Sequence, residues 1–368
     1  MLKRIEKFDM RIGQVNTVRI EELIRLGTLK DGIQLTTLDI HLPIYGQVIP
    51  RIEVEILGNG FRKKVTVRVN QHSRFMFDGE SIKASINGEI KSVFAYQYVD
   101  KDRAPTGMYN FGMLRENGTR SFVFDYHTYC AYSCAFCFKE NEWEVLSIDG
   151  QGTKDYKGNY EDCLRYIETH AEDFQSNYDI VWLCTGSIVN VAVELQRHCG
   201  IAKKLREIGY PNDIYVSQVV PDAIRKDQDR RTDYLTELKE SGVTRFNTGV
   251  EIVDSQLRKK YIQGYKGSFT FSDYLNIFED AVDVFGHFGA GSCLLAGIEP
   301  SVNTLFGLEE IAKMGVVPAP TVFTPFVSKQ EKIKFYFNLD ELIEMHVKFN
   351  DIIERYKLPV FSGVFSLA

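Results

Sequence analysis

Three cysteines near the middle of the chain carry the first chemical information in the sequence. Cys130, Cys134 and Cys137 stand in a C-x3-C-x2-C arrangement, which places three thiols within eight residues. Iron–sulfur clusters are usually held by four cysteines. A cluster held by three keeps one iron open, and an open metal position is typical of a catalytic rather than a structural site.

The same three thiols are also compatible with a structural Cys3His zinc site in which His127 is the fourth ligand. Structural zinc ligands usually come as two separated pairs, which this run does not provide. Three unconnected core cysteines are a further interpretation. Among the remaining cysteines, we interpret Cys163, Cys199 and Cys293 as small buried apolar side chains rather than ligands.

The run from Tyr129 to Cys137 resembles the cluster loop of the radical S-adenosylmethionine (radical SAM) superfamily. That motif has this spacing and usually an aromatic residue before the third cysteine, here Phe136. The resemblance implies a [4Fe-4S] cluster on the three cysteines, with SAM chelating the open iron. It also implies that an electron cleaves SAM to a 5′-deoxyadenosyl radical, which takes a hydrogen atom from substrate. The protein would place SAM and substrate around this chemistry.

Composition is that of an ordinary globular protein. The 368 residues suffice for one large domain with a smaller one, or for two domains. Hydrophobic residues make up 44% of the chain and charged residues 26%, both ordinary values. The 44 basic and 50 acidic residues leave a net charge of −6, which weighs against nucleic acid as the main partner.

The number of cysteines and the length of the apolar runs are the sequence features that indicate the cellular compartment. Seven cysteines, three of them clustered, fit a reducing cytoplasm better than a secreted disulfide framework. The first residues are too charged for a signal peptide. No run of about 18 apolar residues is present, so we expect neither a membrane span nor a membrane partner.

Residues 1–115 are predicted to form a β-rich N-terminal domain, whose function the sequence does not indicate. Lys64–Val69 alternates polar and apolar residues, as a half-buried strand does. Asn-Gly at 59–60 and 87–88 and Asp-Gly at 78–79 predict hairpin turns, because these residues tolerate positive φ. One short helix is expected over Ile20–Leu26.

From about residue 120 the pattern changes to alternating strands and helices, which predicts six βα units and a parallel sheet. The expected strands are Ser121–Tyr126, Asp179–Leu183, Asp213–Val220, Arg245–Ile252, Gly289–Ile298 and Val317–Phe326. An open doubly wound sheet also satisfies this pattern. The cysteines follow the first strand directly, at the end where barrels carry active sites, which favours a partial (β/α)6 TIM-like barrel over residues 116–330. Radical SAM cores are commonly such barrels.

Helices are expected near residues 188–208, 229–241, 272–285, 304–314 and 338–357, with helical residues also after Asp254. Ser272 and Asn338 are the predicted N-caps of the third and last of these helices. Residues 331–368 are expected to add a C-terminal helix and strand that close the barrel.

The resemblance assigns SAM contacts to loops that follow the strands. Thr185, Gly186 and Ser187 follow the second strand, where many superfamily members carry Gly-Gly-Glu against the SAM amino group. This chain has no acid there, although a hydroxyl also accepts an amino N–H bond. The alternative role of these residues is to cap the next helix.

On the fourth strand, alternation places Asn247, Gly249 and Glu251 on one face. If this face is the barrel interior, Asn247 and Glu251 need polar partners. The resemblance to biotin-synthase-like members implies that ribose hydroxyls are these partners. The alternative is an internal salt bridge. The resemblance also places Arg258 against the SAM carboxylate, for which a guanidinium is suited.

Adenine contacts are expected on the last two strands. Gly297 would let a ligand approach the backbone, and Val322 and Phe323 would form an apolar wall. Plain core packing is the alternative for the apolar residues. Substrate-binding residues are not identified, but several polar side chains are expected near the barrel mouth: Tyr126, His127, Lys139, Ser328 and Lys329.

The sequence therefore predicts a radical SAM enzyme that acts on a small organic substrate in a biosynthetic step. Residues 179–326 look most like biotin-synthase-like and tryptophan-lyase-like members. The absence of a second cysteine group argues against an auxiliary cluster. A reducing partner such as flavodoxin or ferredoxin is implied. The alternative is a cysteine-ligated metal protein without SAM chemistry, either an iron–sulfur electron carrier or a structural zinc binder.

Overall fold

The computed structural model describes residues 18–36, 51–58, 60–97, 109–111, 120–124, 126, 130, 132, 134–137, 160–187, 190–325 and 328–359. Two sheets organise them: a six-stranded, mainly antiparallel sheet in the N-terminal part and a seven-stranded, mainly parallel sheet in the rest. Buried hydrophobic side chains of both parts belong to one continuous cluster.

The N-terminal part follows the predicted hairpins. Its elements are α1 Ile20–Asp31, β1 Gln34–Leu35, β2 Arg51–Gly58, β3 Phe61–Arg68, β4 Met76–Phe77, β5 Ser81–Ile86 and β6 Glu89–Gln97. The pairs β2–β3, β4–β5 and β5–β6 are antiparallel. Asn87 and Gly88 have φ of 53° and 79°, the positive values that a tight hairpin turn with matching strand twist requires. The predicted short helix is confirmed and extends to Asp31.

The second sheet contains β7 Tyr109–Phe111, β8 Ser121–Phe124, β9 Ile180–Cys184, β10 Asp213–Ser217, β11 Arg245–Asn247, β12 Ala290–Ala296 and β13 Val317–Val322. Strands β8 to β13 are parallel and neighbour one another in chain order, while β7 pairs antiparallel with β8. Within the described residues, β13 and β7 form the two edges, so this curled sheet is a half-barrel. The predicted partial (β/α)6 barrel is confirmed.

The helices that follow the parallel strands are α2 Tyr160–Thr169, α3 Ala171–Asn177, α4 Val191–Glu207, α5 Gln228–Glu240, α6 Ser255–Tyr261, α7 Phe271–Phe285, α8 Ser301–Lys313 and α9 Leu339–Tyr356. Two short 3₁₀ turns, Tyr265–Ser268 and Ser328–Lys332, follow α6 and β13. The expected strand after α9 lies outside the described residues, and the predicted domain boundaries stay a prediction.

Strand pairing identifies the face of the sheet that looks into the half-barrel. Trp182, Tyr215 and Arg245 are in register on one face, with Cys184, Ser217 and Asn247 two residues further along. The alternate residues Val181, Leu183, Ile214, Val216 and Phe246 are completely buried. Since successive side chains point to opposite faces, the apolar set packs under the helices and the mixed set lines the interior.

Three details of the second half differ from the sequence-based expectation. The strands β8, β10, β11, β12 and β13 end earlier than predicted. Helices α2 and α3 were not predicted. The N-cap of α7 is Thr270 rather than Ser272: Thr270 and Asp273 form a reciprocal capping box that begins the helix one residue earlier. Asn338 caps α9 as predicted.

The N-terminal part contacts the end of the half-barrel at several points. The hydroxyl of Thr324 donates a hydrogen bond to the carbonyl of Leu29 at the end of α1 (3.2 Å). Lys30 Nζ lies 5.7 Å from the ring centre of Phe335, and Arg68 Nη1 lies 3.7 Å from Glu331 Oε1. The N-terminal sheet therefore contacts the segment that follows β13. None of the described helices is long and apolar enough to cross a membrane.

Acidification is expected to weaken the contact between α1 and α9. Burial lowers the pKa of His346, although its Nε2 lies 3.5 Å from Glu22 Oε1, and Arg25 and Lys63 lower the pKa further. The folded state thus disfavours the charged imidazole. The unfolded chain binds more protons as the pH falls below 6.5, and the free energy of unfolding decreases there.

Urea unfolding at about pH 7.5 and about pH 5.5 checks this prediction. The unfolding midpoint of the wild type should decrease more than that of a His346→Gln variant. Equal decreases in both proteins would contradict it.

Candidate active site

The cysteine loop follows β8 at the carboxyl edge of the parallel sheet, as predicted. Cys134 is buried, with 6% of its surface exposed, while Cys130 and Cys137 are half-buried. Ala135 N donates to the carbonyl of Tyr261 (2.7 Å), and Cys134 forms an antiparallel bridge with Ile262. The loop is therefore held against the end of α6 by main-chain hydrogen bonds.

The three thiols are neighbours but do not meet at one point. Cys130 and Cys137 each contribute to the pKa of Cys134, which burial raises to about 12. Among the described residues, no three histidine, cysteine or carboxylate side chains are close enough together to hold one metal ion. Metal binding at these thiols would deprotonate a buried Cys134 and would move the side chains together.

Four polar residues form a buried group beside Cys134, called here the polar quartet: Glu251, Arg258, Lys266 and Tyr274. Lys266 Nζ lies 2.6 Å from Glu251 Oε1, with only 7% of the lysine side chain exposed. Burial alone would lower the pKa of Lys266, but the charges of Glu251 and then Cys134 raise it. Lys266 thus carries a positive charge between the carboxylate and the cysteine loop.

The quartet contains polar atoms without partners. Arg258 is completely buried and lies 4.8 Å from the ring centre of Tyr274. One of its terminal nitrogens donates to the carbonyl of Ile252. Among the residues that the structure describes, its Nε and Nη1, together with Glu251 Oε2 and the Tyr274 hydroxyl, have no hydrogen-bond partner. Such groups are costly when left alone, so this part of the molecule is complementary to a polar ligand.

The predicted alternation on the fourth strand is wrong beyond Asn247. Strand β11 ends there, and Glu251 has a left-handed backbone with φ of 57°. Glu251 N then donates to the carbonyl of Cys293 on the next strand (2.8 Å). The chain therefore turns between Asn247 and Glu251, and the carboxylate reaches Lys266 in an internal salt bridge, the alternative weighed for it. Lys266 was not predicted as a site residue.

Asn247 does lie on the interior face, and Gly291 makes room for it. The side-chain amide nitrogen of Asn247 donates to the carbonyl of Val216 (3.3 Å). A Cβ atom placed on Gly291 would lie only 2.2 Å from Asn247 Oδ1. The position of the asparagine thus depends on the absence of a side chain on the neighbouring strand.

A Gly291→Ala substitution is therefore expected to destabilise the protein by about 1 to 3 kcal/mol through overpacking. Combining it with Asn247→Ala should recover most of this loss, because the clashing amide is removed. Urea unfolding of the two single variants and the double variant measures the coupling. Additive losses would show that the clash is not the cause.

Thr185, Gly186 and Ser187 lie directly after β9, at the same edge of the sheet. The cap of the next helix is Asn190, whose side chain accepts from Val193 N (3.3 Å). The alternative role of Thr185 and Ser187 as helix caps is therefore excluded. Ser187 and Gly186 are buried, and the contact with SAM stays a prediction.

A side chain of this protein, rather than a ligand, makes the close approach to the backbone that was expected at Gly297. Gly297 has φ of 104°, and a Cβ there would lie 2.3 Å from the Phe335 ring. Phe323 is buried in a small apolar cluster with Ile252, Tyr261, Leu295 and Ile298, against which Phe136 and Phe335 pack. This cluster forms an apolar wall next to the cysteine loop, with Phe136 and Phe323 both part of it.

The candidates for the barrel mouth have varied positions. Tyr126 is buried, and its hydroxyl contacts Nδ1 of His198 on α4, so it faces the helices rather than the mouth. His127 and Lys139 lie outside the described residues, as do the side chains of Ser328 and Lys329. Two polar residues at the carboxyl edge were missed: Gln218 and Thr248 follow β10 and β11, and their buried side-chain polar atoms have no partners in the described part of the chain.

Comparison with known proteins finds similar solved structures at low sequence identity. The sequence matches no protein-family model and none of the curated proteins. The structure is similar to the [FeFe]-hydrogenase maturase HydG from Carboxydothermus hydrogenoformans, at 15% identity and a TM-score of 0.44, covering 64% of this chain and 52% of that one. Methylornithine synthase PylB is similar at 16% identity and a TM-score of 0.45, with 63% and 62% covered.

A third similar structure is the radical SAM methyltransferase TsrM from Kitasatospora setae, solved with cobalamin and a [4Fe-4S] cluster bound. It is 14% identical, with a TM-score of 0.36, and 56% of this chain and 36% of that one are covered. The chain thus spans about half to three fifths of the length of the first two structures. The subfamily is not identified.

The donor chemistry of the site fits a [4Fe-4S] cluster and SAM. Thiols are the ligand type that iron–sulfur clusters require, and three come from one loop. The unpartnered carboxylate oxygen of Glu251 is complementary to an ammonium group, and the two unpartnered nitrogens of Arg258 are complementary to a carboxylate. An amino-acid moiety such as that of SAM carries both groups.

Proposed function

We propose that this protein is a radical SAM enzyme. The observation that carries the proposal is the position of the C-x3-C-x2-C loop, at the carboxyl edge of a parallel half-barrel and against the polar quartet. Active sites of βα barrels lie at this edge. A structural zinc site does not depend on a position at the mouth of a barrel, nor on nearby buried polar atoms that can bind a ligand.

The residues of the chain have separate tasks in this proposal. Cys130, Cys134 and Cys137 hold the cluster, which when reduced supplies the electron that cleaves SAM. Arg258 binds the SAM carboxylate and Glu251 its amino group. Lys266 neutralises Glu251 and lies on the side of Cys134, where its positive charge offsets negative charge gathered on the thiolates.

The surroundings of the loop serve to keep water out. Phe136 packs with Phe323 and Tyr261 on one side of the cysteines. A radical intermediate needs such shielding, because exclusion of water and of other hydrogen donors prevents side reactions. Asn247, on the interior face two positions beyond Arg245, is proposed to contact the ribose.

The substrate is proposed to be a small organic molecule bound inside the half-barrel. The cysteines outside the loop, at positions 163, 184, 199 and 293, form no second motif. Hydrogen abstraction followed by rearrangement, fragmentation or bond formation is therefore favoured over reactions that need an auxiliary cluster. Such a step belongs to biosynthesis, and an external protein such as flavodoxin or ferredoxin would supply the electron.

Cleavage of SAM by the anaerobically reconstituted, dithionite-reduced protein tests the proposal. We expect 5′-deoxyadenosine in mass spectrometry from the wild type and none from a Cys134→Ala variant. Cys199→Ala is the matched control, because Cys199 is equally buried but lies on α4. An iron-loaded wild type that releases no 5′-deoxyadenosine would favour an electron carrier, and a protein that holds only zinc would overturn the proposal.

A further inference from the structure

Three side chains lie side by side on the interior face of the half-barrel, called here the interior row: Trp182, Tyr215 and Arg245. Strand pairing places them in register on β9, β10 and β11. The ring centres of Trp182 and Tyr215 are 5.1 Å apart, with an angle of 78° between the rings. The guanidinium carbon of Arg245 lies 4.5 Å from the ring centre of Tyr215. The arginine is therefore stacked on an aromatic ring inside the half-barrel.

Several side chains on this interior face are accessible. Cys184 is exposed, and Trp182, Ser217, Arg245 and Asn247 are half-buried. In closed barrels the inward-pointing side chains stack in layers and bury one another. The alternate residues of the same strands are completely buried under the helices. Accessibility on the inner face alone indicates space for a ligand there.

The interior row lies deeper in the half-barrel than the carboxyl edge, where the cysteine loop is. Along each strand it is two residues before Cys184, Ser217 and Asn247, which corresponds to about 7 Å. A molecule bound at one end by the row would therefore extend towards the cysteine loop and the polar quartet. Its opposite end would be the part nearest to the cofactor.

Arg245 is suited to bind an anionic group at this position. Burial lowers its pKa, although Tyr215 and Asp213 raise it. A guanidinium partly removed from water is stabilised by an anion, and its planar fork matches a carboxylate. The hydroxyl of Tyr215 donates to Asp213 Oδ2 (3.2 Å), which orients the ring under the arginine. The half-buried ring of Trp182 adds an apolar surface next to it.

We propose that the substrate is a small carboxylic acid with an apolar body, whose carboxylate binds Arg245 and whose body contacts Trp182 and Tyr215. This inference rests on the proposed function and names the class of molecule on which the protein acts. The carboxylate is then held at the interior row, and the carbon atoms most distant from it lie nearest to the cysteine loop. Ser217 and Asn247 lie along the path of the body.

Fluorescence of Trp182 measures binding at the row without cluster or SAM. The chain has two tryptophans, and Trp143→Phe leaves Trp182 as the only one. The probes are para-nitrobenzoate, whose ring quenches tryptophan on contact, the neutral para-nitrobenzamide and para-nitrophenyl phosphate. We expect para-nitrobenzoate to quench Trp182 saturably and to bind at least about tenfold more tightly than the amide, because hydrogen bonds between charged groups are stronger than neutral ones.

Variants of the Trp143→Phe protein test the arginine. Arg245→Met should bind para-nitrobenzoate at least about tenfold more weakly, and Arg245→Lys should recover part of the affinity. Arg225→Met is the matched control: its guanidinium carbon lies 4.6 Å from the ring centre of Phe269, but in a cleft between α5 and α7. This control should bind the probe normally. The comparison of acid and amide needs no arginine variant and remains decisive if Arg245→Met does not fold.

Each other result overturns the inference. No saturable quenching by para-nitrobenzoate, or equal affinities for the acid and the amide, would exclude a carboxylate site at the row. Unchanged binding by Arg245→Met would exclude this arginine as its ligand. Tighter binding of para-nitrophenyl phosphate would replace the carboxylic acid with a phosphorylated substrate. The proposed function fails by a different result: a wild type that releases no 5′-deoxyadenosine would overturn the radical chemistry but not the carboxylate site.

Discussion

Replacing Lys266 with methionine is expected to destabilise the protein by about 3 to 5 kcal/mol, because the carboxylate of Glu251 would be left buried without its counter-ion. The two charged atoms lie 2.6 Å apart, and the lysine and glutamate side chains are only 7% and 16% exposed. Methionine keeps most of the volume of the lysine stem. The loss of stability therefore measures the missing positive charge rather than a cavity. Urea unfolding of the metal-free protein measures it.

A double variant separates stability from chemistry at this pair. Lys266→Met with Glu251→Gln removes both charges and should recover most of the stability, but not SAM cleavage. Arg231→Met breaks a buried ion pair elsewhere, with Arg231 Nε 2.6 Å from Asp280 Oδ2. This control should lose stability, yet cleave SAM normally per folded molecule. A fully active double variant would show that the Glu251–Lys266 pair serves only the fold.

Arg258→Met is expected to have the opposite effects: it should retain the stability of the protein but weaken the binding of SAM. The guanidinium is completely buried, and two of its nitrogens have no partner within the described ranges. A neutral side chain of similar length should therefore leave the stability of the ligand-free protein unchanged or raise it. SAM affinity should fall about 10- to 100-fold, because charge-assisted hydrogen bonds to a carboxylate contribute about 1.5 to 3 kcal/mol each.

Equilibrium dialysis of SAM against the reconstituted protein measures the affinity, and urea unfolding of the metal-free protein measures stability. Arg258→Lys is the matched variant: it retains the charge without the planar fork and should recover only part of the affinity. Tyr274→Phe removes the neighbouring unpartnered hydroxyl while keeping the ring 4.8 Å from the guanidinium carbon. Unchanged SAM affinity in Arg258→Met would contradict the assignment of this residue.

The parts of the fold that local patterns control were predictable from sequence. The hairpin turns depend on residues that accept positive φ, and Asn87 and Gly88 adopt it. The order of the parallel strands follows from alternating strands and helices, and the cysteine loop comes after the first of them, β8.

The polar quartet was only partly predictable, because its members meet through turns rather than through periodicity. Alternation across Asn247–Glu251 assumed a continuous strand, whereas the strand ends at Asn247 and Glu251 adopts a left-handed backbone. Lys266 lies fifteen residues after Glu251, in a 3₁₀ turn that no helical or strand pattern marks. The sequence signal available was weak: a lysine before Gly267, close to the capped start of α7.

The contacts of the N-terminal sheet limit how the protein can have been assembled in evolution. Leu29 accepts the hydrogen bond of Thr324, just beyond the last barrel strand, and Arg68 holds Glu331 in the turn that also binds the cysteine loop through Gln330. An N-terminal domain from another protein would need a helix that places a main-chain carbonyl beside Thr324 and a basic side chain at the position of Arg68. We therefore expect the two parts to have been inherited together, and chimaeras that exchange the N-terminal sheet to require matched changes at Thr324 and Glu331.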